Sequence, residues 1–162
     1  MNGARIHAFI LTLATVATLA LNPAWAADSP TPEPKAPKDP ALEQARAAID
    51  KQDWAGAQGI LRDAVARDAR NADYHNLYAY SIRKGANPAM DLVFRHYNEA
   101  LRIDSKHRGA HEYIGEAYLM SGNLPKAKEH LAQLDRLCTF GCEEYSKLKQ
   151  AVAAHEQRQA KK

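Results

Sequence analysis

Catalytic signatures are missing from these 162 residues. There is no G-x-S-x-G, no glycine-rich phosphate loop and no H-E-x-x-H. No spaced pair of acids stands outside ordinary helical surface patterns, so the chain reads as a non-enzyme. Cysteine is nearly absent. Cys138 and Cys142 are the whole supply, and neither stands where a lipoprotein cysteine would follow the N-terminal apolar stretch. That stretch is itself short: Phe9 to Leu21 falls well below the roughly 20 apolar residues of a membrane-spanning helix. Nor is there a long run of one charge. The 22 basic and 19 acidic residues are interleaved, with a formal net charge of +3, which gives nucleic acid no footprint. What remains is long enough for one domain with a modest core.

Residues 1–26 have the layout of a secretory signal. Arg5 supplies the positive n-region, and the apolar run from Ala8 to Leu21 is broken only by Thr12, Thr15 and Thr18. Asn22-Pro23 ends it, and Ala24 and Ala26 are the small residues at −3 and −1. Cleavage is expected after Ala26, with export to a bacterial periplasm and no membrane insertion of the mature chain. Five of the eight prolines then fall within residues 27–40. Proline fixes φ, donates no backbone hydrogen bond and pushes its predecessor away from α, so an extended, disordered linker is expected there.

From Ala41 onward apolar residues recur at helical spacing. In residues 108–131 two amphipathic patterns meet at Gly122-Asn123. The first carries Ile114, Gly115 and Tyr118, and the second carries Ala127 and Leu131. On these residues the chain resembles the tetratricopeptide repeat (TPR) family, whose unit is a 34-residue helix–turn–helix. Walking that register backwards finds Trp54, Ala57, Leu61 and Ala64 in an earlier second helix, behind Leu42, Ala45, Ala48 and Ile49. Between the two units lie His75, Tyr78, Ala79 and Ile82, then Val93, Tyr97, Ala100 and Leu101. This middle unit is two residues longer, with the excess in Lys84 to Pro88, where Asn87 is expected to cap the next helix ahead of Pro88. Ala69 and Ser105 stand where the family usually has proline. The resemblance implies an all-α TPR-type solenoid over 41–155. Its repeats are at about 38–71, 72–107 and 108–141, and a capping helix follows at 142–155. The charged tail, 156–162, has no apolar period and is expected to fray.

Cys138 and Cys142 are two thiols four residues apart in an exported chain, which reads most simply as a disulfide clamping the entry to the cap around Gly141. Closing so short a loop adds about 2 kcal/mol by the chain-entropy estimate. The alternative is a reduced pair holding Cu(I), or serving redox chemistry, with Met120 and His130 in the same repeat. His75 and His111 occupy the seam position where the family usually has tryptophan and read as packing histidines. His107 sits in the turn ahead of the last repeat.

In this family ligands usually lie in the concave face built from first helices. By position that implies Asn76, Tyr80, Arg83 and Lys84, then Glu112 and Glu116 with Leu119 and Met120, and Arg46 from the first unit. Backbone hydrogen bonds from Asn76 and charge pairing from Arg83 and Lys84 would suit an extended peptide. The Lys/Asn carboxylate clamp of the chaperone-binding members is not reproduced. The expected function is a periplasmic adaptor binding a peptide or protein partner in the cell envelope, without a cofactor. The alternative is a Cu(I) or redox accessory protein, and a third reading is envelope assembly with the proline-rich segment as spacer.

Overall fold

The computed structural model describes residues 39–161. The signal and nearly all of the proline-rich stretch lie outside them. The described chain is all helical: α1 (Pro40–Asp50), α2 (Trp54–Arg67), α3 (Ala72–Lys84), α4 (Met90–Ile103), α5 (Arg108–Met120), α6 (Leu124–Leu137) and α7 (Glu143–Ala160). Helix starts follow capping chemistry. The Asp39 carboxylate accepts from the amides of Ala41 and Leu42, with Pro40 at the first helical position. Asp39 and Pro40 thus belong to α1, not to the linker. Asp53, Asn71 and Asn123 cap α2, α3 and α6 in the same way.

Two boundaries differ from expectation. Asn87 does not cap α4, which begins at Met90 behind Ala89 with no side-chain cap bond. Burial of Val93, Tyr97 and Ala100 sets the phase of α4 against its neighbours, so loop 85–89 absorbs the whole insertion. At the other end α7 runs five residues past the expected cap, to Ala160. No glycine or proline interrupts it, and Lys128 of α6 pairs with Glu156 at 2.5 Å.

The turns inside the outer repeats are alike. After α5, Gly122 (φ +73°) donates to the Leu119 carbonyl at 3.1 Å while Asn123 donates to that of Tyr118 at 2.8 Å. These are the two bonds that close a helix through a left-handed residue. After α1 the corresponding residue is Gln52 (φ 58°), with Asp53 donating to the Ala48 carbonyl at 2.9 Å.

The core is divided among the repeats. Ala45, Ala57, Leu61, Ala64, Tyr74 and Leu77 form a first cluster across α1, α2 and α3. Ala79, Ile82, Val93, Tyr97, Ile114 and Ala117 form a second, and Leu119, Ala127, Leu134, Leu148 and Val152 a third. Each helix pair is closed by the first helix of the next, and α7 does this for the last, as stacked repeats require. Among the described residues the odd helices touch one another (α1 with α3, α3 with α5, α5 with α7) and the even ones do not. The stack therefore bends with the odd helices inside.

Helices α5 and α7 meet closely at Gly115. A Cβ there would come within 2.6 Å of a Leu148 methyl, so any larger residue would force the fully buried Leu148 to shift. Cys138 and Cys142 are bonded, with Cα atoms 5.5 Å apart, across the loop from α6 to α7. The Cys142 sulfur also accepts from the Tyr145 amide as the cap of α7. Among the described residues no helix is long and apolar enough to cross a membrane.

Candidate functional site

Helical spacing puts Asp73, Asn76, Tyr80 and Lys84 on one stripe of α3, and Gly109, Glu112, Tyr113 and Glu116 on one stripe of α5. With α1 and α7 on either side, these stripes line the inner face. An aromatic ladder runs across it. Trp54, at the start of α2, meets Tyr80 edge-on at 6.1 Å between ring centroids, and Tyr80 packs on Tyr113 at 4.5 Å. Lys84, which is exposed, holds its ammonium 5.9 Å from the Trp54 ring.

Arg83 departs from expectation. Its side chain is only 5% exposed and pairs with Glu116 at 2.7 Å. The guanidinium also donates to the Tyr97 hydroxyl at 3.3 Å and stands 5.4 Å from the Tyr80 ring. A buried charge must be compensated where it sits. Arg83 and Glu116 therefore satisfy each other between α3 and α5, and neither is free to grip a peptide by charge. Met120 is engaged here too, its sulfur accepting from Arg83 at 3.6 Å.

At the other end of the ladder a cavity of about 260 Å³ opens between α1, α3, α5 and α7, lined by Arg46, Asp73, Asn76, Glu112, Tyr113 and Lys147 among others. Most of its charges are matched. Asp73 takes Arg46 at 3.8 Å and His107 Nε2 at 3.3 Å, and its carboxyl lies below the usual carboxylate range chiefly through the His107 bond. His107 Nδ1 accepts from the Ala110 amide, which places its proton on Nε2. Lys147 bonds Glu143 at 2.7 Å, and Arg108 approaches Glu144 at 3.8 Å.

Two groups are left over. Asn76 is 4% exposed and its Oδ1 has no hydrogen-bond partner among the described residues. Glu112, also 4% exposed, has neither a hydrogen bond nor an ion pair among them. Burial pushes the Glu112 carboxyl up to about 7, against the opposing pull of Lys147 and with the help of Glu116, Glu144 and Glu143. Of the six expected contact residues, Asn76 and Glu112 line this cavity, and Tyr80 and Lys84 stand by Trp54. Arg83 and Glu116 pair with each other in the wall of a second cavity of about 320 Å³ against α7.

The histidines form two matching pairs. His75 Nε2 donates to the Ala69 carbonyl at 3.1 Å, so its Nδ1 is free to accept from His96 Nδ1 at 2.8 Å. One repeat later His111 Nε2 donates to the Ser105 carbonyl at 3.1 Å and its Nδ1 meets His130 Nδ1 at 2.9 Å. The acceptors are the two residues that replace the usual proline. Burial, then the neighbouring histidine, holds His96 and His130 down to about 4. Sequence reasoning did not link His96 or His130 to these partners, although both pairs occupy one register. Nor did it place groove residues on α7, because it treated that helix as a cap. His130 is turned to His111 and Met120 to Arg83, so they do not converge on the cysteines. With both sulfurs in the disulfide, no thiolate is left for Cu(I) in this form. Among the described residues no group of three or more His, Cys, Asp or Glu side chains is arranged around a metal position.

No family model matches the sequence, and no curated protein matches it either. Solved structures do match. The type III secretion translocator chaperone SycD of Yersinia enterocolitica aligns with a TM-score of 0.65 at 14% identity, over 74% of this chain and 83% of that one. The TPR2B domain of yeast Sti1, solved as a complex with pHsp70, aligns at 0.64 and 18%, over 73% and 94%. The TPR domain of Arabidopsis OM64 aligns at 0.62 and 17%, over 71% and 93%. The fold is TPR-like, and at these identities the likeness extends to the fold alone.

Proposed function

We propose that this protein is a non-enzymatic TPR module that binds an extended peptide or protein segment along its inner face, in the periplasm after cleavage behind Ala26. The observation that carries the reading is the surface itself. Helices α3 and α5, with Trp54 from the start of α2, present the Trp54–Tyr80–Tyr113 ladder beside unpaired polar groups at Asn76 and Glu112. Aromatic rings supply contact area at little entropic cost, and unpaired acceptors orient a backbone or side chain. Two structural neighbours support it: SycD has been solved with a peptide of the translocator YopD, and the Sti1 domain with pHsp70. Export rests on residues 1–26 and is the natural setting for the Cys138–Cys142 bond.

A photo-crosslinking amino acid at Lys84 or Lys147, in cells expressing the full chain, tests the binding surface. One partner, captured from both inner sites and not from Arg62 or Gln133 on the even helices, is the expected result. Equal capture from both faces would refute the groove. Mass spectrometry of the secreted form should begin at Ala27, and a retained Met1 would refute export with cleavage.

A further inference from the structure

The cavity between α1, α3, α5 and α7 has a definite chemical deficit. Each ion pair around it can be assigned: Asp73 to Arg46 and His107, Glu143 to Lys147, Glu144 to Arg108. Once these are made, the remainder is one carboxylate, Glu112, and one carbonyl oxygen, Asn76 Oδ1. Asn76 Oδ1 is an enclosed acceptor without a donor, which costs stability until something supplies one, and Glu112 has no cation paired with it. Water could supply donors but not charge, and with Arg46, Lys147 and Arg108 assigned to Asp73, Glu143 and Glu144 no cation is left for Glu112. The occupant that meets both needs is a cationic donor. Size narrows it further. At about 260 Å³ the space lies below the roughly 300–1,000 Å³ typical of small-molecule sites, and suits one long side chain. Gly109 helps hold the mouth open, since a Cβ there would stand 3.3 Å from Asn76 Nδ2.

We propose that this cavity receives a basic side chain of the bound segment, a lysine ammonium or arginine guanidinium, on the Glu112 carboxylate and Asn76 Oδ1. The inference rests on the groove reading above and names what that groove selects. Tyr113 forms part of the wall. Lys147 is the resident cation nearest in effect to Glu112, but its ammonium is bonded to Glu143 at 2.7 Å. It competes with the occupant rather than replacing it.

The probes are single residues blocked at both ends, N-acetyl N-methylamides of lysine, arginine, norleucine and glutamate, titrated into isotope-labelled mature protein. The backbone amide of Gly109 and the side-chain amide of Asn76 are followed by NMR. Saturable shifts are expected with lysine and arginine, and norleucine should bind at least about tenfold more weakly. Glu112→Gln should lose about tenfold for the basic probes while keeping a folded spectrum. Lys147→Met, which removes the competitor, should tighten them about threefold. Equal response to norleucine or glutamate, no saturation with either basic probe, or indifference to Glu112→Gln would overturn the proposal. So would tighter binding of free 1,5-diaminopentane, which points to a free amine rather than a peptide side chain. If the probes fail while inner-face crosslinks persist, the cation receptor is wrong and the groove stands.

Discussion

Replacing Glu112 by glutamine removes a charge the fold does not want, and the resulting stability change can be worked out beforehand. The carboxyl is held at about 7 instead of 4.5, mainly because the inner face buries it. Between those two values the native chain binds a proton that the unfolded chain has released. Stability from this group therefore falls as pH rises from 4.5 to about 7, and stays low above that. Each pH unit is worth about 1.4 kcal/mol, giving an upper bound of about 3 kcal/mol. The cavity is open to water, so screening brings the expectation to about 1–2 kcal/mol.

Glu112→Gln cannot ionise and escapes this loss. It should match wild type near pH 4 and exceed it by about 1–2 kcal/mol at pH 8, or roughly 3–8 °C in Tm. Urea titrations of both proteins at pH 4, 6 and 8 read the difference directly. The other groups around the cavity (Arg46, Asp73, His107, Glu143, Glu144 and Lys147) are present in both proteins and largely cancel, as do the histidine pairs. A flat difference across pH, or a variant less stable at pH 8, would refute the reasoning. A gain in stability with a loss of basic-probe binding would mark Glu112 as a residue whose place is set by function at the expense of the fold.

Arg83→Ala should cost about 3 kcal/mol in urea unfolding, because it strands Glu116 and the Tyr97 hydroxyl, whereas Lys84→Ala should be nearly neutral. Comparable losses in the two variants would contradict the burial of Arg83. Gly115→Ala should destabilise by about 1–3 kcal/mol despite alanine's better helix propensity, since its methyl meets Leu148. Adding Leu148→Ala should cost less in that background than in wild type, and strict additivity would argue against the contact. The histidine pairs should make the fold acid-sensitive. His96 and His130 lie at about 4 rather than 6.5, so their contribution is complete above 6.5 and lost as pH falls toward 4. His96→Gln/His130→Gln should flatten the stability profile over that interval, and an unchanged slope would show that the pairs do not control it.

The scaffold was legible because helix periodicity and small residues report directly on packing. Ala57, Ala64, Ala100, Ala127 and Gly115 recur where helices touch, and every one of them is buried. Apolar period says which face of a helix turns inward, and in a stack of near-identical units that determines the architecture. The family resemblance, not the apolar period, pointed to Asn76, Tyr80, Lys84 and Glu112, together with Arg83 and Glu116, as contact residues; the period only sets which face turns inward. It does not say which polar group of the next helix each one meets. Arg83 and Glu116 are 33 positions apart in sequence, and only the spacing of α3 against α5 makes them a pair rather than two free charges. His75 with His96, and His111 with His130, depend likewise on how each first helix lies against its second. The leftover acceptors at Asn76 and Glu112 could emerge only after every other charge in the cavity had found its partner. Such a remainder is a property of packed helices, and no spacing along the chain encodes it.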